Sequence, residues 1–229
     1  MTVAIMLLTY AANVERHAYA MTTLRSALAH IRTAQPLRLH IADDGSPHPG
    51  HVTALVDEAV KFGIPITVSS TNHLGYGANY NAGTRTVHDL AEYIVPLEDD
   101  WELVRDLDLD PLIETLDSGM VGCLRMGILG YTQDLRGTFT HPPGTYRTLF
   151  VFHPDSAEPH VFAGHPRIEK REWERAVGPW PDVPGMLPGE VEVSVCKRLA
   201  ARVGVGWDFD VLSPRGDLFV HIGSVRSTD

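Results

Sequence analysis

The chain has few cysteines and no long apolar run. Only two cysteines occur in its 229 residues, Cys123 and Cys196, and their spacing matches no metal or redox motif. We therefore expect buried, reduced thiols and a cytoplasmic protein. The apolar run at residues 3–8 is too short for a signal segment and lacks a basic flank, and no stretch could cross a bilayer. The sequence predicts no membrane span.

Positive charge is also scarce. The net charge of -10 argues against a surface that binds nucleic acids or anionic membranes without specificity. Residues 1–119 carry 7 Lys and Arg against 16 Asp and Glu, a balance of -9, so residues 120–229 account for only -1. The acidic character therefore belongs to the first half, where we expect a cation to bind.

Short apolar segments alternate with amphipathic ones through residue 126. We predict strands at residues 3–10, 37–42, 64–68 and 92–100, and helices at 15–33, at 51–62 and from about 79. This alternation predicts an α/β fold with a doubly wound, mostly parallel sheet and helices on both faces.

The second half of the sequence is less regular. We predict strands at residues 120–126, 147–153, 205–212 and 217–222, helices at 166–177 and 190–203, and loops at 127–146 and 178–188. No repeat, low-complexity tract or linker interrupts the chain. We therefore expect a single domain, 1–229, with an elaborated C-terminal part.

Three consecutive acids, Glu98-Asp99-Asp100, end the strand predicted at residues 92–100. They would lie at the carboxyl edge of the sheet, where open α/β sheets bind ligands. Adjacent carboxylates repel one another, so a positive partner is needed. Mg²⁺ or Mn²⁺, bridging to phosphate oxygens, fits that need. A solvated acidic turn is the alternative, but the position after a buried strand favours a binding site.

Two further segments carry chemistry. The turn Asp43-Asp44-Gly45-Ser46 follows the second strand, where its carboxylates could accept hydrogen bonds from a uracil or guanine N–H or from ribose hydroxyls.

The glycine-bearing segment at residues 73–83 leads into a helix, and its N–H groups could face a phosphate. It is neither a P-loop nor a Rossmann fingerprint, since it has no Gly-Lys-Ser/Thr and does not follow the first strand. An ordinary turn with asparagine caps explains it equally well.

Together, in this order, these segments resemble the family-2 glycosyltransferases with the GT-A fold. The matches are Thr9-Tyr10 after the first strand, Asp43–Ser46 after the second, and Gly75, Asn81 and Gly83 of an Asn-x-Gly-x₅-Asn-x-Gly segment in which His73 replaces the first Asn. The acidic triplet stands at the family's D-x-D metal motif, with Glu98 in place of the first Asp. The resemblance covers about the first 125 residues.

The resemblance implies metal-dependent, inverting transfer of a sugar from a nucleoside diphosphate sugar, UDP- or GDP-linked, to a hydroxyl. The first 126 residues would bind the donor, and residues 127–229 would bind the acceptor. The implied donor-binding residues are Thr9, Tyr10, Asp43, Asp44, His73, Gly75, Asn81 and Asp99. The implied ligands of Mn²⁺ or Mg²⁺ are Glu98, Asp100 and, on the last strand, His221. For His221 a purely structural role is equally compatible with the sequence.

The resemblance also implies a catalytic base near the start of a late helix, at Glu190 or Glu192. The family's Glu-Asp pair is here Glu-Val-Glu, and acids in a first helical turn also stabilise the helix dipole without any other role. We prefer Glu190, because Glu192 lies closer to the helix stripe expected to pack inward.

Three alternatives remain. A sugar-phosphate nucleotidyltransferase would need a glycine-rich, basic loop after the first strand, and residues 9–15 contain no glycine, lysine or arginine. A non-catalytic module would be expected to lose the acids, which are kept here.

The acceptor, which we expect to be a glycan hydroxyl, could instead be a hydroxymethylated base in DNA. The cations Arg167, Lys170, Arg171 and Arg175 on one predicted helix favour that alternative, although three glutamates interleave with them.

Overall fold

A computed structural model describes residues 1–126, 136–145, 147–153, 164–183, 185–199, 205–208 and 218–223. The strands are β1 (Val3–Thr9), β2 (Ile31–Arg32), β3 (Leu37–Asp43), β4 (Ile66–Ser70), β5 (Tyr93–Glu98), β6 (Trp101–Leu103), β7 (Leu107–Asp108), β8 (Cys123–Arg125), β9 (Gly137–Thr140), β10 (Leu149–Phe152), β11 (Arg167–Lys170), β12 (Val205–Asp208) and β13 (Phe219–His221). The helices are α1 (Val14–His30), α2 (His51–Val60), α3 (Tyr76–Val87), α4 (Asp110–Asp117), α5 (Arg171–Val177) and α6 (Pro188–Leu199).

A nine-stranded sheet runs through the described part of the chain in the order β4-β3-β1-β5-β11-β8-β12-β10-β9. Its first four strands are parallel, as the sequence predicts. Strand β11 then runs antiparallel to both β5 and β8, so the second half of the chain continues the sheet. The prediction of a mostly parallel α/β sheet is confirmed, and both halves of the chain share that one sheet.

Alternate residues of β1 pack on opposite faces of the sheet. One face buries Val3, Ile5 and Leu7 against helices α1, α2 and α4, and the other buries Ala4, Met6 and Leu8 against α3 and α6. A central strand covered by helices on both sides reads as a continuous apolar run, which is why residues 3–8 show no polar alternation. No described helix is both long and apolar enough to cross a membrane.

The predicted helix at residues 166–177 is wrong in its first part. Arg167–Lys170 form strand β11 in the middle of the sheet, and only Arg171–Val177 are helical. Alternating charges suggested an exposed helix, but Arg167 and Glu169 are 1% and 0% exposed. The Arg167 Nε donates to Glu169 at 2.9 Å, so the two charges satisfy each other inside the core. The alternation is that of a strand buried on both faces, with Arg167 and Glu169 paired on one face and Ile168 on the other.

The predicted loop at residues 127–146 also needs correction. Gly137–Thr140 form β9, which pairs antiparallel with β10 at the edge of the sheet. Gly137 lies against Phe150 and the carbonyl of Val151, where a side chain would collide. The glycine and threonine content predicts a loop here, but in the structure these residues form a strand that pairs closely with its neighbour. The remainder of that loop from 127 to 135, and the ends of the predicted strands at 209–212 and 217, lie outside the described residues.

The buried His40 gives the fold a dependence on pH. Burial lowers its pKa to about 4, while its ring nitrogens contact the hydroxyls of Thr67 and Ser69. Between that value and about 6.5 the unfolded chain binds the proton more readily, so stability is lost as the pH falls through this window.

We expect His40 to account for about 3 kcal/mol of that acid destabilisation. Urea unfolding at pH 7 and pH 4.5 measures it, with His40→Gln expected to flatten the dependence. His30→Gln is the control, because His30 lies at the surface beside Asp106. Equal pH slopes for the parent protein and His40→Gln would contradict the assignment.

Candidate active site

The site lies at the carboxyl ends of β1 and β5. The chain places β3 and β4 on one side of β1 and then returns to place β5 on the other, so the strand order reverses between β1 and β5. Such a reversal opens a crevice at the carboxyl edge, where ligands bind in α/β sheets. The pairing of Thr9 with Asp43 and of Leu8 with Glu98 puts the predicted site residues at one level.

Asp99 faces β1 and helix α1. Its carboxylate accepts the Thr9 hydroxyl at 2.7 Å and the Tyr10 N–H at 3.0 Å, and it forms a close ion pair with Arg16. The residue is 3% exposed. Burial raises the pKa of Asp99 to about 6, while Arg16 opposes that rise. Asp99 therefore holds β1 and helix α1 in place beside the crevice. Its own side chain is not exposed there.

Asp100 carries the polar atom that points to a ligand. Its Oδ2 accepts Arg16 at 3.0 Å and lies 3.5 Å from Nε2 of His221. Its Oδ1 is buried and has no hydrogen-bond partner among the described residues. Burial would raise the pKa of Asp100, but His221 and Arg16 outweigh it and lower the pKa. An ionised oxygen without a donor is the position at which a cation would bind.

The last strand brings His221 to this carboxylate. Strand β13 pairs with β6, which sets His221 opposite Trp101, and the N–H of Ile222 donates to the Asp100 carbonyl at 2.9 Å. Gly223 lies so close to Asp100 that a Cβ there would be 2.5 Å from Oδ2. The contact with Asp100 raises the pKa of His221, although burial opposes it. Asp100 and His221, predicted as metal ligands from the sequence, are brought together.

Glu98, the third predicted ligand, faces another way. It accepts the Tyr76 hydroxyl at 2.7 Å, and a Cβ on Gly164 would collide with its Oε1 and with Oε1 of Glu192. Two carboxylates therefore converge on one glycine. Burial, Asp100 and Glu192 together raise the pKa of Glu98 well above its usual value. Glu98 belongs to a carboxylate pair with Glu192, on the α6 side of the crevice.

The two candidate bases differ in surroundings. Glu190 is exposed, and its carboxylate accepts the Leu187 N–H at 2.9 Å, which caps the start of α6. Glu192 is half-buried and accepts the N–H of Gly164 in a short hydrogen bond beside Glu98. Only Glu192 of the two is brought to the crevice by the described contacts.

Asp43 and Asp44 are buried, with their oxygens occupied by loop atoms. Asp44 accepts the N–H groups of Leu74 and Gly75, each at 2.9 Å, as well as the Thr71 hydroxyl. Asp43 accepts the N–H groups of its own turn, including that of Gly45 at 3.1 Å. These carboxylates fix the loop from β4 to α3 against the turn after β3. The sequence suggested that a nucleoside would donate hydrogen bonds to these carboxylates. In this structure, donor groups of the loop occupy those positions instead.

An aromatic pair stands at the mouth of the crevice. The rings of Tyr10 and His73 stack with centroids 4.3 Å apart, and the His73 side chain is 62% exposed. His73 has a φ of 55°, which bends the loop so that its ring covers Tyr10. This pair gives a flat, accessible surface beside Asp44.

Asn81 links helix α3 to the 178–182 segment. Its amide donates to the carbonyl of Trp180 at 2.9 Å and accepts the N–H of Trp180 at 2.8 Å, which clamps the 178–182 segment to α3. Gly77 lies against the carbonyl of Pro181 and Gly83 against Met6, so neither position has room for a side chain. Asn81 and Gly83, two of the residues that matched the family pattern, thus pack helix α3 in place.

Sequence reasoning missed three residues of the site: Arg16, Tyr76 and Gly164. Arg16 lies in the first turn of α1, where a cation opposes the helix dipole, and that anomaly was the available signal. It supplies the positive partner that the acidic triplet was expected to need. Tyr76 and Gly164 gave no such signal, because their roles depend on contacts with Glu98 that are distant in sequence.

A metal ion fits this site only with help from a substrate. The described residues include no group of three or more His, Cys, Asp or Glu that could hold a metal ion by themselves. Asp100, whose Oδ1 has no partner in the described part of the chain, and His221 offer two ligands. Mg²⁺ is typically bound by one or two carboxylates together with substrate phosphates and water, and a two-ligand site suits that pattern.

The family assignment follows from comparison with known proteins. The model of glycosyl transferase family 2 matches residues 12–175, and the chain belongs to this family. Search of curated proteins gives no match to the sequence.

Solved structures share the GT-A fold with this chain. S. aureus TarS is 13% identical over the whole chain, with a TM-score of 0.68, and the chain covers 38% of TarS. GalNAc-T7 with UDP, GalNAc and Mn²⁺ is 14% identical over 91% of the chain, with a TM-score of 0.66 and 42% of GalNAc-T7 covered. The Pyrobaculum calidifontis mannosyltransferase PcManGT with GDP-Man and Mn²⁺ is 17% identical over 94% of the chain, with a TM-score of 0.55 and 58% covered. The chain thus spans less than two thirds of each of these three proteins.

Proposed function

We propose that this chain is a metal-dependent, inverting glycosyltransferase that moves a sugar from a nucleoside diphosphate sugar to a hydroxyl. The observation that carries the proposal is Asp100, whose buried oxygen has no partner among the described residues and lies beside His221 at the β1/β5 crevice of a family-2 chain. Two solved relatives of the fold contain Mn²⁺ with a nucleotide or nucleotide sugar, which supports a divalent cation. We expect Mn²⁺ or Mg²⁺ here.

Asp100 and His221 would hold the cation, which when bound neutralises the charge of the diphosphate leaving group. Glu98 is not included among these ligands, because its carboxylate is engaged with Tyr76 and lies beside Glu192. The nucleoside would rest on the stacked rings of Tyr10 and His73, while Asp43, Asp44 and Gly75 fix the loop that carries His73. Thr9, Asn81 and Asp99 would support the donor site by holding its walls.

Glu192 is the proposed catalytic base, in place of Glu190. As the acceptor oxygen attacks the anomeric carbon, its proton passes to the Glu192 carboxylate. The bond between that carbon and the diphosphate oxygen breaks, and the electron pair leaves with the diphosphate. The Gly164 N–H orients the carboxylate. Attack opposite to the leaving group inverts the anomeric centre.

The proposed acceptor is a hydroxyl of a glycan, bound by the part of the chain after residue 126. The basis for a DNA acceptor has weakened, because Arg167 is buried with Glu169 and Lys170 pairs with Asp117 at 2.9 Å. The four cations do not share one helix. TarS has been solved with UDP-GlcNAc and PcManGT with GDP-Man, so both nucleotides belong in the test.

The proposal is tested by screening UDP- and GDP-linked sugars for release of the nucleoside diphosphate. Release that needs Mn²⁺ or Mg²⁺ and stops in EDTA is the expected result. Calorimetry of UDP and GDP binding with and without Mn²⁺ gives a second readout that does not require the acceptor. Equal nucleotide affinity in Mn²⁺ and in EDTA would overturn the metal dependence.

A further inference from the structure

Three histidines cluster beside Thr9 at the end of β1, between helix α1 and the start of α2. Nδ1 of His17 lies 2.9 Å from Nδ1 of His51, and Nε2 of His51 lies 2.9 Å from the Thr9 hydroxyl. The ring of His48 stacks on His17 with centroids 4.5 Å apart. His17 is half-buried on α1, and His51 is buried at the start of α2.

Counting donors fixes the direction of these hydrogen bonds. The Thr9 hydroxyl has one proton, which it donates to Asp99 at 2.7 Å. Nε2 of His51 must therefore donate to the Thr9 oxygen. A neutral ring then leaves Nδ1 of His51 as an acceptor, so Nδ1 of His17 donates to it. The hydrogen bonds run in one direction, from His17 through His51 and Thr9 to Asp99.

The chain of contacts continues to the proposed metal ligand. Asp99 holds one nitrogen of the Arg16 guanidinium, and the other donates to Asp100 at 3.0 Å. A guanidinium is planar and rigid, so fixing one nitrogen also fixes the direction of the other. The orientation of Asp100, and with it the direction of its unpartnered oxygen, depends on Asp99 being held.

We propose that His51, oriented by His17, is a positioning residue that acts through Thr9, Asp99 and Arg16 to set Asp100 for the cation. This inference rests on the proposed function, since it concerns the cation and diphosphate that the site would bind. We call the series His17, His51, Thr9, Asp99, Arg16 and Asp100 the histidine relay.

The environment of His51 keeps it in the neutral form that the relay requires. Burial lowers its pKa to about 4, with Asp43 opposing and His17 and His48 adding to the effect. The pKa of His17 is also lowered, by burial and by the charges of His48 and Arg25. A doubly protonated His51 would carry an N–H at Nδ1, so that nitrogen could no longer accept a hydrogen bond from His17.

The chain offers a matched control in His40. This histidine is also fully buried, also bonds through both ring nitrogens and also has a pKa lowered to about 4. Its partners are Thr67 and Ser69 of β4, and none of its described contacts reaches the acidic triplet. Replacing either histidine by leucine removes a similar buried polar group, but only the change at His51 interrupts the relay.

The experiment compares His51→Leu with His40→Leu, using calorimetric titration of UDP, and in parallel GDP, at fixed Mn²⁺. Both variants are expected to lower the melting temperature. His51→Leu should weaken Mn²⁺-dependent nucleotide binding by about tenfold or more, the usual effect of losing an outer-shell partner at a metal site. His40→Leu should leave that affinity within about twofold. His51→Gln, whose amide N–H can donate to Thr9, should restore most of the lost affinity.

Three results would overturn the inference: equal losses of affinity in both leucine variants, no loss in His51→Leu, or no recovery in His51→Gln. If His51→Leu does not fold, Thr9→Val decides, because it removes the relay hydroxyl with little change of shape. An unchanged affinity in Thr9→Val then overturns the inference. Failure of the parent protein to bind UDP or GDP with Mn²⁺ would overturn the proposed function, and the inference with it.

Discussion

Asp100→Asn is expected to abolish metal-dependent binding of the nucleotide while the fold stays intact. The substitution keeps the shape of the side chain but removes the charge, and an amide is a poor ligand compared with a carboxylate. In the structure Asp100 offers a buried oxygen without a described partner, and its Oδ2 lies 3.5 Å from His221. We expect a loss of more than about a hundredfold in affinity, above the effect of outer-shell changes.

Titration of UDP and GDP with Mn²⁺ and with EDTA measures this loss. The matched control is Asp117→Asn, since Asp117 also pairs with a cation, Lys170 at 2.9 Å, and in addition accepts the Tyr93 hydroxyl at 2.6 Å. Its described contacts lie away from the crevice. His221→Ala should have a smaller effect, because an imidazole offsets less of the cation's charge than a carboxylate does and the His221 side chain is 39% exposed. Metal-dependent binding that survives Asp100→Asn unchanged would refute this ligand assignment.

The first half of the fold was predictable because its local signals agree with its global arrangement. Strands β1, β3 and β5 are short apolar runs that alternate with amphipathic helices, and glycines and prolines flank β3 on both sides. The expected positions of Thr9, Asp43 and Glu98 at one edge follow from parallel pairing alone. The strand ends differ from the predicted bounds by only a few residues.

Strand β11 was not predictable by the same means. Its sequence, Arg167-Ile168-Glu169-Lys170, resembles a solvated segment, because three of its four side chains carry charge. Its burial depends on partners far away in sequence, chiefly Tyr80, whose hydroxyl donates to Glu169 at 2.8 Å and accepts Arg167 at 2.8 Å. Local propensity contains no information on such a pairing.

In the site, likewise, the kind of residue was predictable from the sequence and the orientation of each side chain was not. Sequence reasoning identified a carboxylate cluster after β5, but the direction of each side chain depends on tertiary contacts. Asp99 faces Thr9 and Arg16, Asp100 faces His221, and Glu98 faces Tyr76. Three adjacent acids therefore have three different surroundings, and among the described residues only Asp100 of the three keeps a buried oxygen without a hydrogen-bond partner.

The second large effect is expected from Glu192→Gln. The variant keeps the size of the side chain and an oxygen that can accept the Gly164 N–H, but it cannot take a proton from the acceptor hydroxyl. General-base catalysis contributes roughly 10²–10⁴-fold, so sugar transfer should fall by at least about a hundredfold. Donor affinity should remain near that of the parent protein, because neither the Tyr10–His73 pair nor Asp100 is altered.

Glu190→Gln is the matched control for Glu192→Gln, two positions away on the same helix. Its carboxylate caps the start of α6 by accepting the Leu187 N–H, so its replacement should cost a little stability and leave transfer within a few fold. Single-turnover transfer and donor binding are measured separately for both variants. A large loss in Glu190→Gln with normal transfer in Glu192→Gln would reassign the base to Glu190. Near-parental transfer in both would mean that another carboxylate, or the substrate itself, accepts the proton.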